Sequence, residues 1–190
     1  MTISTGIFST EASFEARLAG SLEGLGDLVG HLRALGQRIV VTSGSFDLLH
    51  LGHVKYLAEA KRRGDVLVVG VDSDDKIRSR KEAGRPLVPE RERLEMLAYQ
   101  RPVDLIYLKS ASDPRWGLIT TVRPDVLILS VDHGYSAEDI EALAEYCGAI
   151  EVLGRQANVT TSERLRQIWM SQKGRVTEAI DAAFEFRARP

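Results

Sequence analysis

Two of the chain's four histidines, His50 and His53, stand three residues apart in Gly44-Ser45-Phe46-Asp47-Leu48-Leu49-His50-Leu51-Gly52-His53. An apolar run, Arg38-Ile39-Val40-Val41-Thr42-Ser43, leads straight into this decapeptide, and a helical pattern begins at Gly52. Residues three apart at a helix start share a face, so both imidazoles address one point. Gly44 and Ser45 permit a tight backbone turn, and Gly52 removes a side chain that would crowd a ligand. The helix start sends N–H groups and the positive end of the dipole to the same place. Together these features suit a phosphate group met by two imidazoles. A metal site is the competing reading, but no His/Cys/Asp cluster with zinc spacing accompanies the pair, and His31 and His133 are isolated. Neither Gly-x-x-x-x-Gly-Lys-Ser/Thr nor Gly-x-Gly-x-x-Gly is present.

A second group of chemically suited residues lies over one hundred positions later. Arg155 precedes Val159-Thr160-Thr161-Ser162, which opens another helical pattern. Hydroxyls and N–H groups at a helix start suit phosphates, and an arginine can clamp them with two parallel hydrogen bonds. Each motif thus suits a phosphate group on its own residues. Between them, Lys76, Arg78, Arg80, Lys81 and Arg85 crowd one segment, most of it read as a solvated helix face.

The elements that must position these residues alternate in type. Val/Ile/Leu-rich runs at 38–43, 65–72, 103–108, 124–131 and 149–154 read as five strands, with helical patterns between them. Such alternation predicts an α/β fold, a Rossmann-like doubly wound five-stranded parallel sheet with helices on both faces. Ligands then bind at the carboxyl ends of the strands, where the strand order reverses. Residues 1–36 are expected to form an N-terminal helical extension, 37–172 the main domain and 173–190 a C-terminal helix.

The bulk numbers agree with such a domain and exclude other classes. The chain has 190 residues, 44% of them hydrophobic and 27% charged, with a net charge of −2. No global basic field points to nucleic acid. The single cysteine, Cys147, cannot form an intramolecular disulfide, which fits a reducing cytoplasm. The first residues lack the basic start and apolar core of a secretory signal, and no apolar run has the length to span a bilayer.

With these residues in view, the decapeptide resembles the signature of the HxGH nucleotidyltransferase superfamily. Residues 43–74 are similar in particular to the glycero-manno-heptose phosphate adenylyltransferases, with the glycerol-3-phosphate cytidylyltransferases close behind. The resemblance runs from about Arg38 to Ile168. It implies transfer of a nucleoside monophosphate from a nucleoside triphosphate, ATP favoured, to a phosphorylated small acceptor such as heptose 1-phosphate. Pyrophosphate leaves by in-line attack without a covalent enzyme intermediate. A CTP-dependent enzyme acting on glycerol 3-phosphate or a similar alcohol phosphate is the alternative. A non-catalytic nucleotide-binding module is a second alternative, and the altered segment Ser130-Val131-Asp132-His133-Gly134-Tyr135 motivates it.

Carried over position by position, the resemblance makes His50, His53 and Lys81 catalytic. It places Gly44, Ser45, Phe46, Gly52, Asp132, Arg155, Val159, Thr160, Thr161 and Ser162 on the nucleotide, and Asp47, Arg85, Arg93 and Lys109 on the acceptor. Magnesium is expected to arrive with the nucleotide, with no dedicated protein cage. A homodimer is expected, with no nucleic acid and no membrane as partner.

Overall fold

The computed structural model describes residues 13–157 and 161–187, the side chains of Thr161 and of 179–187 excepted. In chain order the elements are α1 (Phe14–Arg17), β1 (Leu18–Ala19), α2 (Leu22–Ala34), β2 (Ile39–Gly44), α3 (Leu51–Lys61), β3 (Val66–Asp72) and α4 (Asp74–Arg78). There follow α5 (Glu90–Ala98), β4 (Leu105–Lys109), α6 (Gly117–Val122), β5 (Val126–Ser130), α7 (Ala137–Ala144), β6 (Ala149–Leu153) and α8 (Thr161–Arg187).

The unbroken apolar runs become strands covered on both faces. All seven residues of β3 are buried, and each Val or Leu so placed contributes about 1.5–3 kcal/mol of apolar burial. Every pairing is parallel, and the spatial order is β1-β4-β3-β2-β5-β6. Successive connections run one way from β2 through β3 to β4, and the other way from β5 to β6. The order therefore reverses between β2 and β5, which places the expected ligand crevice at the carboxyl end of β2.

Alternation along the strands divides the core between two faces. Val40, Leu67, Val69 and Ile106 pack with Phe14, Leu57, Leu94 and Leu97 on the face covered by α1, α3 and α5. Ile39, Val41, Val68 and Leu105 pack with Leu25, Val29, Leu118 and Leu143 under α2, α6 and α7.

Among the described residues the sheet has six strands where the sequence reading expects five. The extra strand, β1, pairs Leu18 with Ile106 and Ala19 with Tyr107 at the edge of β4. Two residues are too short to leave a period-2 pattern, and they lie inside a run read as helix. Residues 13–36 are woven into the sheet and both cores. The buried Arg17 fastens it further, its Nη1 donating to the Ala98 and Val103 carbonyls at 2.7 and 2.8 Å.

The described residues up to Ala157 form one unit, and those from Thr161 a second. The second unit is the single helix α8, which continues through Gly174 where two helices were expected. The expected boundary at residue 172 falls within it. Among the described residues, no helix is long and apolar enough to cross a membrane.

Candidate active site

His50 is the N-cap of α3 and His53 its third helical residue. Those two positions of a helix start face one another, which explains the spacing of three. The two rings stack with centroids 3.8 Å apart and planes at 18°. Phe46 meets His53 edge-on at 5.3 Å. The N-cap His50 makes no side-chain cap hydrogen bond, and the amides of the first turn of α3 are directed at the same crevice as the imidazoles.

The turn that carries the histidines is fixed from several sides. Phe46 is buried with φ +46°, a conformation that costs a bulky residue about 1–3 kcal/mol. Gly44 makes room for it, since a Cβ there would stand 3.2 Å from the Phe46 ring. One turn along α3 from His53, the Tyr56 hydroxyl shares a 2.7 Å hydrogen bond with Thr42 Oγ1. Both hydroxyls lie within reach of the Ile128 carbonyl, Thr42 Oγ1 at 3.0 Å and Tyr56 Oη at 3.3 Å, and with one hydrogen each, one of them donates to the carbonyl while the other donates to its neighbouring hydroxyl. This small network ties α3, β2 and β5 together at the point where the strand order reverses. Burial pushes the Tyr56 phenol up to about 12, so it remains a neutral donor.

His53 is driven toward the neutral form. Burial pushes its pKa down, and the neighbouring His50 and Lys81 push it further. Leu48 opposes through its backbone, and the value falls to about 4. At neutral pH His53 is an uncharged imidazole with one N–H to donate. An incoming polyphosphate would raise its proton affinity.

Asp47, expected on the acceptor, is 3% exposed and bonded within the protein. Its Oδ1 accepts from the Leu87 and Val88 amides at 2.6 and 3.1 Å, and its Oδ2 from Arg85 Nη1 at 2.6 Å. Burial pushes the carboxyl up, but bonds from Val88, Arg85 and Leu87 outweigh it and hold the pKa below the usual carboxylate range. Arg85, also expected on the acceptor, is largely covered and also donates to Glu82.

Arg93 departs furthest from the sequence reading. Its side chain is 0% exposed. Nε donates to the Val88 carbonyl at 2.9 Å and Nη1 to the Ser45 carbonyl at 2.5 Å. Nη2 donates to the Asp72 carbonyl and to Asp74 Oδ1, both at 2.8 Å. A guanidinium with no exposed surface cannot meet an acceptor. It joins the ends of β2 and β3 to the loop before α5, and this corrects the expected acceptor role.

Lys109 stays near the crevice, on the opposite face of the sheet from α3. It is the register partner of Asp72, and Gly70 lies between it and Ser43. Its Nζ stands 3.3 Å from Asp72 Oδ1 and donates to Ser43 Oγ at 3.2 Å. To reach Ser43 the chain passes over Gly70, where a Cβ would lie 2.7 Å from Lys109 Cδ and 2.4 Å from Leu118 Cδ2. Arg80 Nη2 meets Asp72 Oδ2 at 2.5 Å. Burial pushes the Lys109 pKa down; Asp72 opposes this, while Lys76 and Arg80 add to it. Burial likewise pushes Asp72 up, but Lys109 and Arg80 outweigh it and leave it ionised. Tyr135 completes the group. Burial and the Asp72 carboxylate raise its pKa, with Arg80 and a hydrogen bond to Ser43 acting against them.

Thr42, Ser43, Tyr56, Asp72 and Arg80 were not singled out from the sequence as site residues. Gly70 was the available signal, because a glycine inside a buried strand marks a close approach. At the rim, Arg155 Nη2 donates to Asp132 Oδ2 at 3.2 Å, both side chains largely exposed. His133 Nδ1 accepts from the Tyr135 amide at 2.9 Å. Ser45 and Gly52 lie in the turn and first helical turn beside the histidines, half-buried, and Lys81 is exposed. Val159 and Thr160 lie outside the described residues, as does the Thr161 side chain; Ser162 is an exposed residue of α8. Among the described residues, no group of three or more His, Cys, Asp or Glu could hold a metal ion.

The chain is similar to known proteins over most of its length. The cytidylyltransferase-like family matches residues 41–175. The bifunctional protein HldE of Syntrophotalea carbinolica is 38% identical over 149 residues, covering 77% of this chain and 30% of that protein. HldE of Geobacter metallireducens is 40% identical over 136 residues, covering 70% of this chain and 27% of its own. The chain thus spans less than a third of the length of these relatives. A solved lipopolysaccharide core biosynthesis protein from Thermoplasma volcanium superposes with a TM-score of 0.55 at 28% identity, over 65% of this chain and 100% of its own. With the stacked histidine pair at the crevice and the match spanning most of the sheet, the chain belongs to the cytidylyltransferase-like family.

Proposed function

We propose that the protein transfers a nucleoside monophosphate from a nucleoside triphosphate, ATP favoured, to a phosphorylated sugar of the heptose 1-phosphate type. The observation that carries this reading is the His50–His53 stack on the first turn of α3, at the reversal of strand order. An acceptor phosphate oxygen forms a bond to the α-phosphorus, the bond from that phosphorus to the bridging oxygen breaks, and pyrophosphate departs. Both reactants are anions, so the protein's task is alignment and neutralisation of charge. The histidines donate to the α-phosphate and the departing oxygens, and the α3 amides add their dipoles. Lys81 reaches the phosphates from its loop. The nucleotide enters as its magnesium complex.

In-line displacement needs the incoming oxygen opposite the leaving group. Side chains along β2 alternate, so Thr42 faces α3 while Ser43 faces the Lys109 group. This arrangement supports an acceptor phosphate held near Lys109, across β2 from the histidines. The half-buried, paired Lys109 also favours one alternative, cytidylyl transfer to an alcohol phosphate, because the cytidylyl relatives carry an acceptor-side lysine at about this point. Pyrophosphate release measured with ATP and with CTP against heptose 1-phosphate and glycerol 3-phosphate separates these readings. Tight nucleotide binding without release for any acceptor would leave a non-catalytic binding module. A homodimer working in the cytoplasm completes the proposal, and sedimentation at micromolar concentration tests the dimer.

A further inference from the structure

We propose that Asp47 is a positioning residue: it clasps residues 85–88 to the histidine-bearing turn and thereby sets where Lys81 stands over the phosphates. The proposal rests on the nucleotidyl-transfer reading for the role of Lys81, and on geometry for the clasp. Both Asp47 oxygens are engaged, one by two backbone amides and the other by Arg85. An acceptor hydroxyl would have to displace charge-assisted bonds in a site that is almost wholly covered.

The segment is anchored at both ends. At one end the Arg80 and Lys81 amides donate to the Ile77 carbonyl at 3.0 and 2.9 Å, continuing the turn of α4. At the other, Arg93 holds the Val88 carbonyl. Between these anchors, Asp47 is where the histidine-bearing turn itself takes hold of the segment, three residues before His50. Nearness of Lys81 to the pair is registered at His53, whose protonation Lys81 disfavours. Nucleotide that orders the histidine turn is therefore coupled to the segment that carries the lysine through the Asp47 carboxylate, beside the tie that Arg93 makes between Ser45 and Val88.

The test uses the full chain with Asp47→Ala, Asp47→Asn and Arg85→Lys. Trypsin cleavage after Lys81, followed by mass spectrometry without substrate, reads opening of the segment. Asp47→Ala is expected to speed this cleavage about tenfold or more, since local opening free energy falls with the lost bonds. Asp47→Asn keeps an oxygen for the two amides and should fall between, which holds the test open where the alanine variant fails to fold. Pyrophosphate release should show a nucleotide KM raised roughly tenfold with the acceptor KM within about twofold. An unchanged trypsin rate in Asp47→Ala and Asp47→Asn overturns the clasp, whatever the activity. A shift confined to the acceptor KM also overturns it, because Asp47 would then touch the acceptor. Absence of release in the unaltered protein sinks the nucleotidyl reading instead, and the trypsin rates alone then decide the clasp.

Discussion

Replacing Arg93 discriminates between two roles for one residue. On the sequence reading it binds the acceptor; in the structure it is a covered tie between three segments. Arg93→Met removes a guanidinium that donates four hydrogen bonds, to three backbone carbonyls and the Asp74 carboxylate. Breaking a buried charge pair by deleting one partner costs about 3–5 kcal/mol. Each carbonyl left unsatisfied adds up to about 1–3 kcal/mol unless water reaches it. Water can enter beside Asp74, whose side chain is 18% exposed, so the lower figures are the better guide: about 3 kcal/mol for the pair and about 1 kcal/mol for the carbonyls, about 4 kcal/mol in all. For a domain of this size that lowers Tm by roughly 8–16 °C. Arg93→Lys keeps the charge, but an ammonium on a single stem cannot span four acceptors in different directions, and about half the loss should remain. Thermal denaturation followed by circular dichroism gives the shift, and pyrophosphate release gives KM for each substrate. If Arg93→Lys melts within about 2 °C of the unaltered protein and only the acceptor KM rises, Arg93 touches the acceptor and the structural account is wrong.

His53→Ala should lower turnover about a thousandfold or more while leaving the circular dichroism spectrum unchanged; equal turnover would remove His53 from the mechanism. Because the folded pKa of His53 lies near 4, below the ordinary 6.5, the unfolded chain binds more protons between those values. Stability therefore rises with pH across that window and is lost as pH falls through it, by at most about 3 kcal/mol. Melting at pH 5 and pH 7 should show the slope, and His53→Gln should flatten it; an equal slope in the variant assigns the dependence to another group. Gly70→Ala sets a methyl against Leu118 and Lys109, with about 1–3 kcal/mol of overpacking expected. Its acceptor KM should rise while the nucleotide KM holds, and an unchanged acceptor KM would take Lys109 away from the acceptor.

The sheet was readable because its strands are buried on both faces. Val66–Asp72 carries no polar residue before its last position, and such a run has few other physical explanations. The histidine pair was readable because N-cap and N3 geometry is local, decided within four residues of one another. What could not be read depends on contacts distant in sequence. β1 is defined only by its pairing with residues 106 and 107. Arg93 sits in a helix that begins Glu90-Arg91-Glu92, so its surroundings look solvated. Only the fold brings residues 45, 72, 74 and 88 around it. Asp47 and Arg85, 38 positions apart, were each assigned to the acceptor; the fold makes them partners. A charged residue read alone is available for a ligand, and only tertiary structure shows that a protein group already holds it.

The residues from Thr42 to Asp47 show why such holding matters to the proposed chemistry. Thr42 meets Tyr56 and the Ile128 carbonyl, Ser43 meets Lys109, and the Ser45 carbonyl meets Arg93. Phe46 meets His53, and Asp47 meets Arg85 with two amides. Five of six consecutive residues thus hold partners outside the segment, spread over α3, β4, β5, α5 and the loop before α5, which accounts for a bulky Phe46 held at positive φ. Phosphoryl transfer without a covalent step gains its rate from donors fixed before the substrate arrives. A turn determined residue by residue supplies that rigidity. The segment after β5 does not share it: Val131 is 51% exposed. Exchanging such side chains alters the shape offered to base or acceptor at little cost to the fold. Acceptor choice can therefore diverge there and around Lys109, while the turn that bears the histidines stays the same.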